Sequence, residues 1–155
     1  MRRGIALGLL LTAALPQPVL AVQNSSVVAA PAASAHPWLS LAELRARYQD
    51  RASRYLTVGG IQVHYKDEGR GRPILLVHGS SSTMKTWDAL VPTLRRTGYR
   101  VIRYDVPGMG LSDDVPDTML GSIAPADVAA ALLDQLKIQR TVVVGVSSGG
   151  TLGSF

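Results

Sequence analysis

The stretch that decides the fold is Thr141-Val142-Val143-Val144-Gly145-Val146-Ser147-Ser148-Gly149-Gly150. Its apolar run predicts a buried strand, which leads directly into a G-x-S-x-G pattern centred on Ser147. In a sharp strand-to-helix turn, side chains two residues before and after the central serine would collide with the neighbouring strand and helix, so glycine suits positions 145 and 149. The pattern therefore indicates Ser147 as a nucleophile, with the backbone N–H of Ser148 as a donor to an oxyanion.

A second polar segment follows a second apolar run. Residues 74–77 (ILLV) predict a strand buried on both faces, and His78-Gly79-Ser80 comes directly after it. The carboxyl ends of parallel strands meet at one edge of a sheet, where ligands bind. The backbone N–H of Ser80 is therefore predicted to supply the other half of an oxyanion hole. His78 precedes the nucleophile at a tight turn, which favours a bracing role in this loop over that of the general base.

Two alternating segments upstream predict a hairpin. Residues 55–58 and 61–66 flank Gly59-Gly60, a pair that suits a two-residue turn. Strand alternation places His64 on one face with Gln62 and Lys66, so it is predicted to face solvent.

A capping box opens the first predicted helix. Ser40-Leu41-Ala42-Glu43 has the S-x-x-E form, and the helix is predicted to continue to about Arg51. Leu41, Leu44 and Tyr48 form an apolar stripe that is expected to dock onto the rest of the fold.

The remaining elements alternate between helix and strand. A helix around residues 87–94, a strand at 100–104 and a helix at 126–137 lead to the strand at 141–146. The whole pattern predicts an α/β domain in which an antiparallel hairpin is followed by parallel strands with crossover helices.

The N-terminal region is typical of an export signal. Two arginines precede an apolar run, and a small-residue end finishes at Ala21. We expect residues 1–21 to be a signal peptide, 22–38 a flexible Ala/Ser/Pro-rich spacer and 39–155 the folded domain. The apolar run is too short for a permanent span, so the protein is expected to be periplasmic or secreted, without stable membrane insertion.

Composition narrows the function classes. The 155 residues contain no cysteine, and the three histidines lack the spacing of metal ligands, so we expect no metal site. The net charge of +5 is spread along the chain rather than clustered, which argues against nucleic-acid binding. The glycines around Ser147 do not match dinucleotide or P-loop patterns, so no cofactor is expected. A small-molecule substrate is the expected partner.

Together these motifs resemble the α/β-hydrolase superfamily, in its branch of esterases, C–C hydrolases, lactonases, haloperoxidases, epoxide hydrolases and dehalogenases. The likeness runs from about Ser53 to Gly150 and includes the segment YDVPGMGLSD at residues 104–113. It implies a sheet of that fold and a Ser147 acyl-enzyme acting on an ester, thioester, lactone or activated C–C bond. The branches that use an aspartate nucleophile are disfavoured because serine occupies position 147.

The resemblance also implies an incomplete catalytic set. In that family the acid and the histidine follow the nucleophile, whereas this sequence ends at Phe155. None of Asp105, Asp113, Asp114 or His78 is assigned to those roles. We therefore expect the front part of a longer hydrolase, truncated after the nucleophile turn, with an uncovered edge strand, poor solubility and little turnover alone. The alternatives are a non-catalytic remnant or binding protein of the same fold, and a change of chemistry to perhydrolysis or peptide cleavage.

Overall fold

The computed structural model describes residues 38–154. The predicted signal peptide 1–21, and all of the predicted spacer except Trp38, lie outside the described residues. Within the described part, no helix combines the length and the apolar character needed to cross a membrane.

The described chain alternates helices with strands. The helices are α1 (Leu41–Tyr48), α2 (Val91–Arg96) and α3 (Pro125–Gln135), and the strands are β1 (Arg54–Val58), β2 (Ile61–Gly69), β3 (Arg72–Val77), β4 (Tyr99–Tyr104) and β5 (Val142–Gly145). Short 3₁₀ helices lie at Met84–Trp87, Asp117–Met119 and Ser147–Ser154. The sequence predicted every strand, but the helix expected after Ser147 is 3₁₀ rather than α.

One mixed sheet forms the centre, in the order β1-β2-β4-β3-β5. The pairs β1–β2 and β2–β4 are antiparallel, whereas β3 runs parallel to both β4 and β5. The predicted hairpin is confirmed, since Val58 pairs with Ile61 across Gly59 and Gly60, both with positive φ. The predicted α/β class, with a hairpin leading into parallel strands, is likewise confirmed.

Apolar layers cover the central strands on both faces. On one face Leu75 and Val77 of β3 pack with Val128 and Leu132 of α3. On the other face Ile74 and Leu76 pack with Val91 of α2 and with Val101, and partly buried apolar side chains surround each cluster. Burial on both faces explains why β3 is a continuous apolar run instead of an alternating one.

β5 is one of the two outer strands of the described sheet, at the end opposite β1. It pairs with β3 through Ile74↔Val142 to Val77↔Gly145, and none of its residues is fully buried. Val142 is 47% exposed. The expectation of a buried strand over 141–146 is therefore wrong in burial, because within the described residues β5 has a neighbour on one side only. The strand is also one residue shorter at each end than predicted. The expected edge position is what the structure shows.

α1 begins as predicted and ends early. Ser40 and Glu43 form the capping box, with the Ser40 N–H donating to the Glu43 carboxylate at 2.8 Å. The helix ends at Tyr48, short of Arg51, and none of its residues is fully buried. It is held instead by Arg45, which donates to the Leu111 carbonyl at 2.9 Å and to Asp113 at 3.0 Å.

The prediction that the side chain of His64 faces solvent is wrong, because only 3% of the residue is exposed. β2 is not an outer strand at this point, since Tyr65 pairs with Tyr104 at the end of β4. The chain after β4 then folds back over His64: Asp105 N–H donates to the His64 carbonyl at 2.9 Å, and His64 N–H donates to the Ser112 hydroxyl at 2.9 Å. The alternation was correct, but the face was covered by residues distant in sequence.

Candidate active site

Ser147 is the first residue of the 3₁₀ helix that follows β5, two positions after the strand ends at Gly145. Its φ is 52°, in the left-handed region that residues with a side chain rarely adopt. Such a conformation costs on the order of 1–3 kcal/mol and persists where the surrounding structure imposes it. The side chain is exposed at the carboxyl end of β5. A strained, exposed serine between a strand and a helix is the arrangement of a nucleophile elbow.

No side chain fits at the two glycines on either side of Ser147, Gly145 and Gly149. A Cβ at Gly145 would lie 2.1 Å from the Gly149 carbonyl oxygen, and one at Gly149 would lie 2.5 Å from the carbonyl oxygens of Val77 and His78. All of these obstacles are backbone atoms, which cannot move aside cheaply. The turn is thus pressed against its own 3₁₀ helix on one side and against the end of β3 on the other.

The loop after β3 lies against the Ser147 turn. Val146 N–H donates to the Val77 carbonyl at 3.2 Å, and a Cβ at Gly79 would lie 3.0 Å from the Ser147 Cβ. The hydroxyls of Ser80 and Ser148 are 3.0 Å apart, within hydrogen-bond distance. The structure therefore brings together the two residues whose backbone N–H groups the sequence assigned to an oxyanion hole. Ser148 lies in the first turn of its helix, where N–H groups have no intrahelical acceptor.

His78 is buried below this loop, with 1% of its surface exposed. Its Nε2 accepts a hydrogen bond from Val106 N–H at 2.9 Å, so the ring proton is on Nδ1, which donates to the Gly79 carbonyl at 2.8 Å. Both ring nitrogens are occupied in tying the loop after β3 to the chain after β4. No ring nitrogen of His78 is left to accept a proton from Ser147.

The other described histidine is committed elsewhere. His64 bonds through Nδ1 to Asp105 at 2.8 Å and through Nε2 to Ser53 at 2.9 Å. Asp113, another acid near the sheet edge, accepts from Arg45 and from the backbone N–H of Gln62. Residues 38–154 therefore place no histidine on Ser147.

Asp105 is the centre of a buried network that sequence reasoning missed. Only 2% of the residue is exposed, and its carboxylate accepts from His64, from Met84 N–H at 2.8 Å and from Leu111 N–H at 3.0 Å. Burial raises the pKa of Asp105, but these hydrogen bonds outweigh it and hold the pKa below its usual range. The signal in the sequence was Gly110, where a Cβ would lie 2.3 Å from the Asp105 carboxyl carbon.

An apolar cavity of about 250 Å³ adjoins this network, away from Ser147. It opens between α1, the 3₁₀ helix at Met84–Trp87 and the chain after β4, and Leu44, Tyr48, His64, Met84, Asp105 and Leu111 are among its lining residues. None of the site residues predicted from the sequence lines it. Across residues 38–154, no group of three His, Asp or Glu side chains is placed to hold a metal ion.

Comparison with known proteins supports one family. The family model described as "alpha/beta hydrolase fold" matches residues 72–155. A putative non-heme chloroperoxidase of Synechocystis is 38% identical over 100 residues, covering 61% of this chain and 36% of that protein. A 2-hydroxy-6-oxononadienedioate/2-hydroxy-6-oxononatrienedioate hydrolase of Paraburkholderia phymatum is 41% identical over 106 residues, covering 63% and 37%.

Solved structures agree with the sequence relatives. A bromoperoxidase from Bacillus anthracis has a TM-score of 0.60 at 33% identity, covering 66% of this chain and 37% of that one. An epoxide hydrolase from Vigna radiata also has a TM-score of 0.60, at 25% identity, covering 65% and 33%. The chain thus spans just over a third of the length of the sequence relatives described. With its sheet order, its strained serine turn and a family model matching more than half of its residues, the chain belongs to the α/β-hydrolase fold family.

Proposed function

We propose that this chain is the N-terminal part of an exported serine hydrolase in which Ser147 forms the acyl-enzyme. The observation that carries the proposal is the positive φ of Ser147, between two glycines whose Cβ positions are filled by backbone atoms. Ser81 and Lys137 also have positive φ, so what distinguishes Ser147 is the combination of that φ with two close-packed glycines at the end of a strand. A nucleophile requires this combination, because the turn lifts its hydroxyl clear of the sheet.

The proposed mechanism uses the two strand ends together. Ser147 Oγ attacks the acyl carbon of an ester, thioester, lactone or activated C–C bond and loses its proton to a general base. Negative charge on the acyl oxygen is stabilised by the backbone N–H groups of Ser80 and Ser148. Water then attacks the acyl-serine and releases the acid product. The base and its orienting acid come from outside residues 38–154, so this described part by itself has little turnover.

The relatives support hydrolysis of a small molecule. The Paraburkholderia protein is named as a 2-hydroxy-6-oxononadienedioate/2-hydroxy-6-oxononatrienedioate hydrolase, and one solved relative is an esterase from Exiguobacterium antarcticum. Acyl transfer to a serine accommodates cleavage of an ester and of an activated C–C bond, because the oxyanion hole stabilises the same tetrahedral centre.

The experiment that tests the proposal is covalent labelling by a fluorophosphonate probe, which reacts with activated serines. The full-length protein from its own host is treated with the probe, and the adduct is located by peptide mapping. We expect labelling at Ser147 that is abolished by Ser147→Ala and retained in Ser148→Ala. An unlabelled Ser147 in full-length, folded protein would favour a non-catalytic member of the fold.

Export is a separate part of the proposal, resting on the N-terminal sequence. Residues 1–21 combine a basic start with an apolar segment and a small-residue end. N-terminal sequencing of the protein recovered from the periplasm or medium is expected to begin at Val22. A cytoplasmic protein that retains Met1 would refute export and leave the assignment of Ser147 untouched.

Perhydrolysis is a second candidate, favoured by the haloperoxidase relatives. It begins with the same acyl-serine, which hydrogen peroxide attacks in place of water to release a peracid and regenerate the Ser147 hydroxyl. With an ester substrate, peracid production that rises with peroxide concentration would support it. Unchanged acid release under the same conditions would support hydrolysis.

A further inference from the structure

Three polar side chains form a hydrogen-bonded row far from Ser147 in the sequence. Ser53 lies in the loop before β1, His64 lies in β2, and Asp105 follows β4. The Ser53 Oγ is 2.9 Å from His64 Nε2, and His64 Nδ1 is 2.8 Å from the Asp105 carboxylate. The order hydroxyl, imidazole, carboxylate is that of a nucleophilic serine with its base and orienting acid.

For a neutral imidazole, the hydrogen bonds also set the direction of donation. Asp105 accepts from two backbone N–H groups and from His64, and its low pKa keeps the carboxylate ionised. A carboxylate can only accept, so His64 Nδ1 carries the ring proton of the neutral imidazole. Nε2 then presents its lone pair, and the Ser53 hydroxyl donates to it. This is the tautomer in which an imidazole can take a proton from serine.

The imidazole and the carboxylate are held rigidly. Both residues are almost fully buried, and the backbone N–H of His64 is itself bonded to Ser112. Gly110 passes so close to the Asp105 carboxylate that a Cβ there would lie 2.3 Å away. The base is therefore oriented before any substrate arrives, which is the condition under which a general base is effective.

Ser53, at the end of the row, is partly exposed in the turn between α1 and β1. Asp50 N–H donates to its Oγ at 3.0 Å, which stabilises negative charge as the hydroxyl loses its proton. The nearby Asp50 carboxylate is neutralised by Lys66, whose Nζ lies 2.5 Å away. Because Ser53 is partly exposed while His64 behind it is buried, Ser53 is the end of the row that a small reagent approaches from solvent.

We propose that Ser53, His64 and Asp105 form a second nucleophilic serine site, which accepts a short acyl group from activated esters. Ser53 Oγ bonds to the acyl carbon while its proton passes to His64 Nε2, and the ester C–O bond then breaks to release the alkoxide or phenolate leaving group. His64 returns the proton to that leaving group. Water activated by the same nitrogen slowly hydrolyses the acyl-serine, yielding the acid and the original hydroxyl.

The substrate class follows from what surrounds Ser53. The hydrogen bonds around Ser53 involve its Oγ itself: Oγ accepts from Asp50 N–H, contacts His64 Nε2, and lies 3.4 Å from the Asp50 carboxylate as a second acceptor. No strained turn like that at Ser147 presents paired N–H groups to the acyl oxygen here, since Ser53 has no positive φ. Esters with a good leaving group need the least stabilisation of that oxygen. The site therefore takes acyl groups from activated esters in preference to alkyl esters.

The test uses the full-length protein carrying Ser147→Ala, so that acyl groups cannot reside on the proposed primary nucleophile. It is treated with p-nitrophenyl acetate, and acetylation is followed by intact mass and peptide mapping. We expect one acetyl group at Ser53, absent from the Ser53→Ala/Ser147→Ala protein. Ser40 is the matched internal control, because its hydroxyl lies 2.7 Å from a carboxylate, Glu43, without an imidazole. Ser53 should acetylate at least about a hundredfold faster than Ser40, the lower end of general-base catalysis.

Two results in the protein with intact His64 would overturn the proposal. One is acetylation of Ser53 at the rate of Ser40, and the other is acetylation confined to lysines. His64→Gln in the same background should reduce Ser53 acetylation to the Ser40 rate, and an unchanged rate in folded protein would also refute the site. If that variant fails to fold, the comparison of Ser53 with Ser40 in protein with intact His64 still decides. Because Ser147 is absent throughout, the outcome is independent of the proposed function.

Discussion

Ser147 and Ser53 are built in opposite ways. At Ser147 the backbone is specialised: φ is positive, glycines occupy positions 145 and 149, and Ser80 and Ser148, whose N–H groups we propose as oxyanion donors, lie with their hydroxyls 3.0 Å apart. At Ser53 the side chains are specialised. The buried imidazole of His64 contacts the Ser53 hydroxyl, and the buried carboxylate of Asp105 contacts the other nitrogen of that imidazole. In our proposals, the Ser147 region supplies donors for the negative charge on the acyl oxygen, and the Ser53 region supplies a base for the proton of the serine hydroxyl.

The difference shows which groups of a serine site can come from segments distant in sequence and which cannot. Oxyanion donors have to lie about 2.7–3.1 Å from the position that the oxyanion will occupy, so they belong to the rigid strand ends. A base acts through a hydrogen bond and can be supplied by any segment that passes nearby. In residues 38–154 the strand ends of β3 and β5 already meet at Ser147, while both described histidines serve other contacts.

The largest effect is expected from breaking the backbone of the Ser147 turn. In Gly149→Ala the new Cβ would lie 2.5 Å from two carbonyl oxygens, so either β3 or the 3₁₀ helix has to move. We expect a loss of at least about 3 kcal/mol in the free energy of unfolding, at the upper end for overpacking, together with loss of probe labelling at Ser147. Urea unfolding and labelling of the full-length protein measure both.

Gly150→Ala is the matched control for that prediction. Its Cβ would find its nearest neighbour at 3.5 Å, an ordinary contact with the Gly145 carbonyl oxygen. A change well under about 1 kcal/mol is expected, as for substitutions away from packed features. Equal losses in the two variants would show that the turn is generally intolerant of side chains, and that the close approach at position 149 has no special role.

Asp105→Asn tests the side-chain half of the comparison. The amide presents N–H where the carboxylate accepted bonds from His64 and Leu111, which leaves one buried donor unpaired. We expect a loss of about 2 kcal/mol in the free energy of unfolding, since an unsatisfied buried group costs about 1–3 kcal/mol. His64 then has to move its proton to Nε2, so Ser53 should lose its acetylation while Ser147 keeps its labelling.

The control for Asp105→Asn is Asp114→Asn, because Asp114 is exposed. Loss of Ser147 labelling in Asp105→Asn at unchanged stability would contradict the separation of the two sites.

Acid should remove the same stabilisation. The pKa of Asp105 is lower in the folded protein than in the unfolded chain, because its hydrogen bonds outweigh burial. Its contribution to stability is therefore complete above the unfolded value of about 3.9 and is lost as pH falls toward the folded value. The stability difference between the unsubstituted protein and Asp105→Asn is expected to shrink below about pH 4 in urea titrations. A difference that grows in acid would mean that the folded pKa is raised.

The sequence predicted the features that depend on neighbouring residues along the chain. Continuous apolar runs located β3 and β5, the Gly-Gly pair located the hairpin, and the spacing of glycine around Ser147 located the strained turn. It failed at His64, whose partners are 11 and 41 positions away. Strand alternation gives a face but not what covers that face, so the Ser53 row could not be derived. The burial of β5 was overestimated for the same reason, because neighbours decide burial.

The smallest effect is expected where the two halves of the proposed oxyanion hole touch. The Ser80 and Ser148 hydroxyls are 3.0 Å apart and exposed, so their hydrogen bond competes with water. Such a bond contributes about 0.5–1.5 kcal/mol, and exposure favours the low end.

A double-mutant cycle of Ser80→Ala and Ser148→Ala tests this bond, with the rate of fluorophosphonate labelling at Ser147 as the measurement. We expect each single variant to be labelled more slowly than the unsubstituted protein, and a coupling free energy of about 0.5 kcal/mol between the two substitutions. The reason is that the hydroxyl bond ties the loop after β3 to the helix after Ser147, and so holds the two N–H groups at one spacing. Additive losses would mean that the backbone contacts of Val77 with Val146 and Gly149 set this spacing without help, which would place all of the specialisation at Ser147 in the main chain.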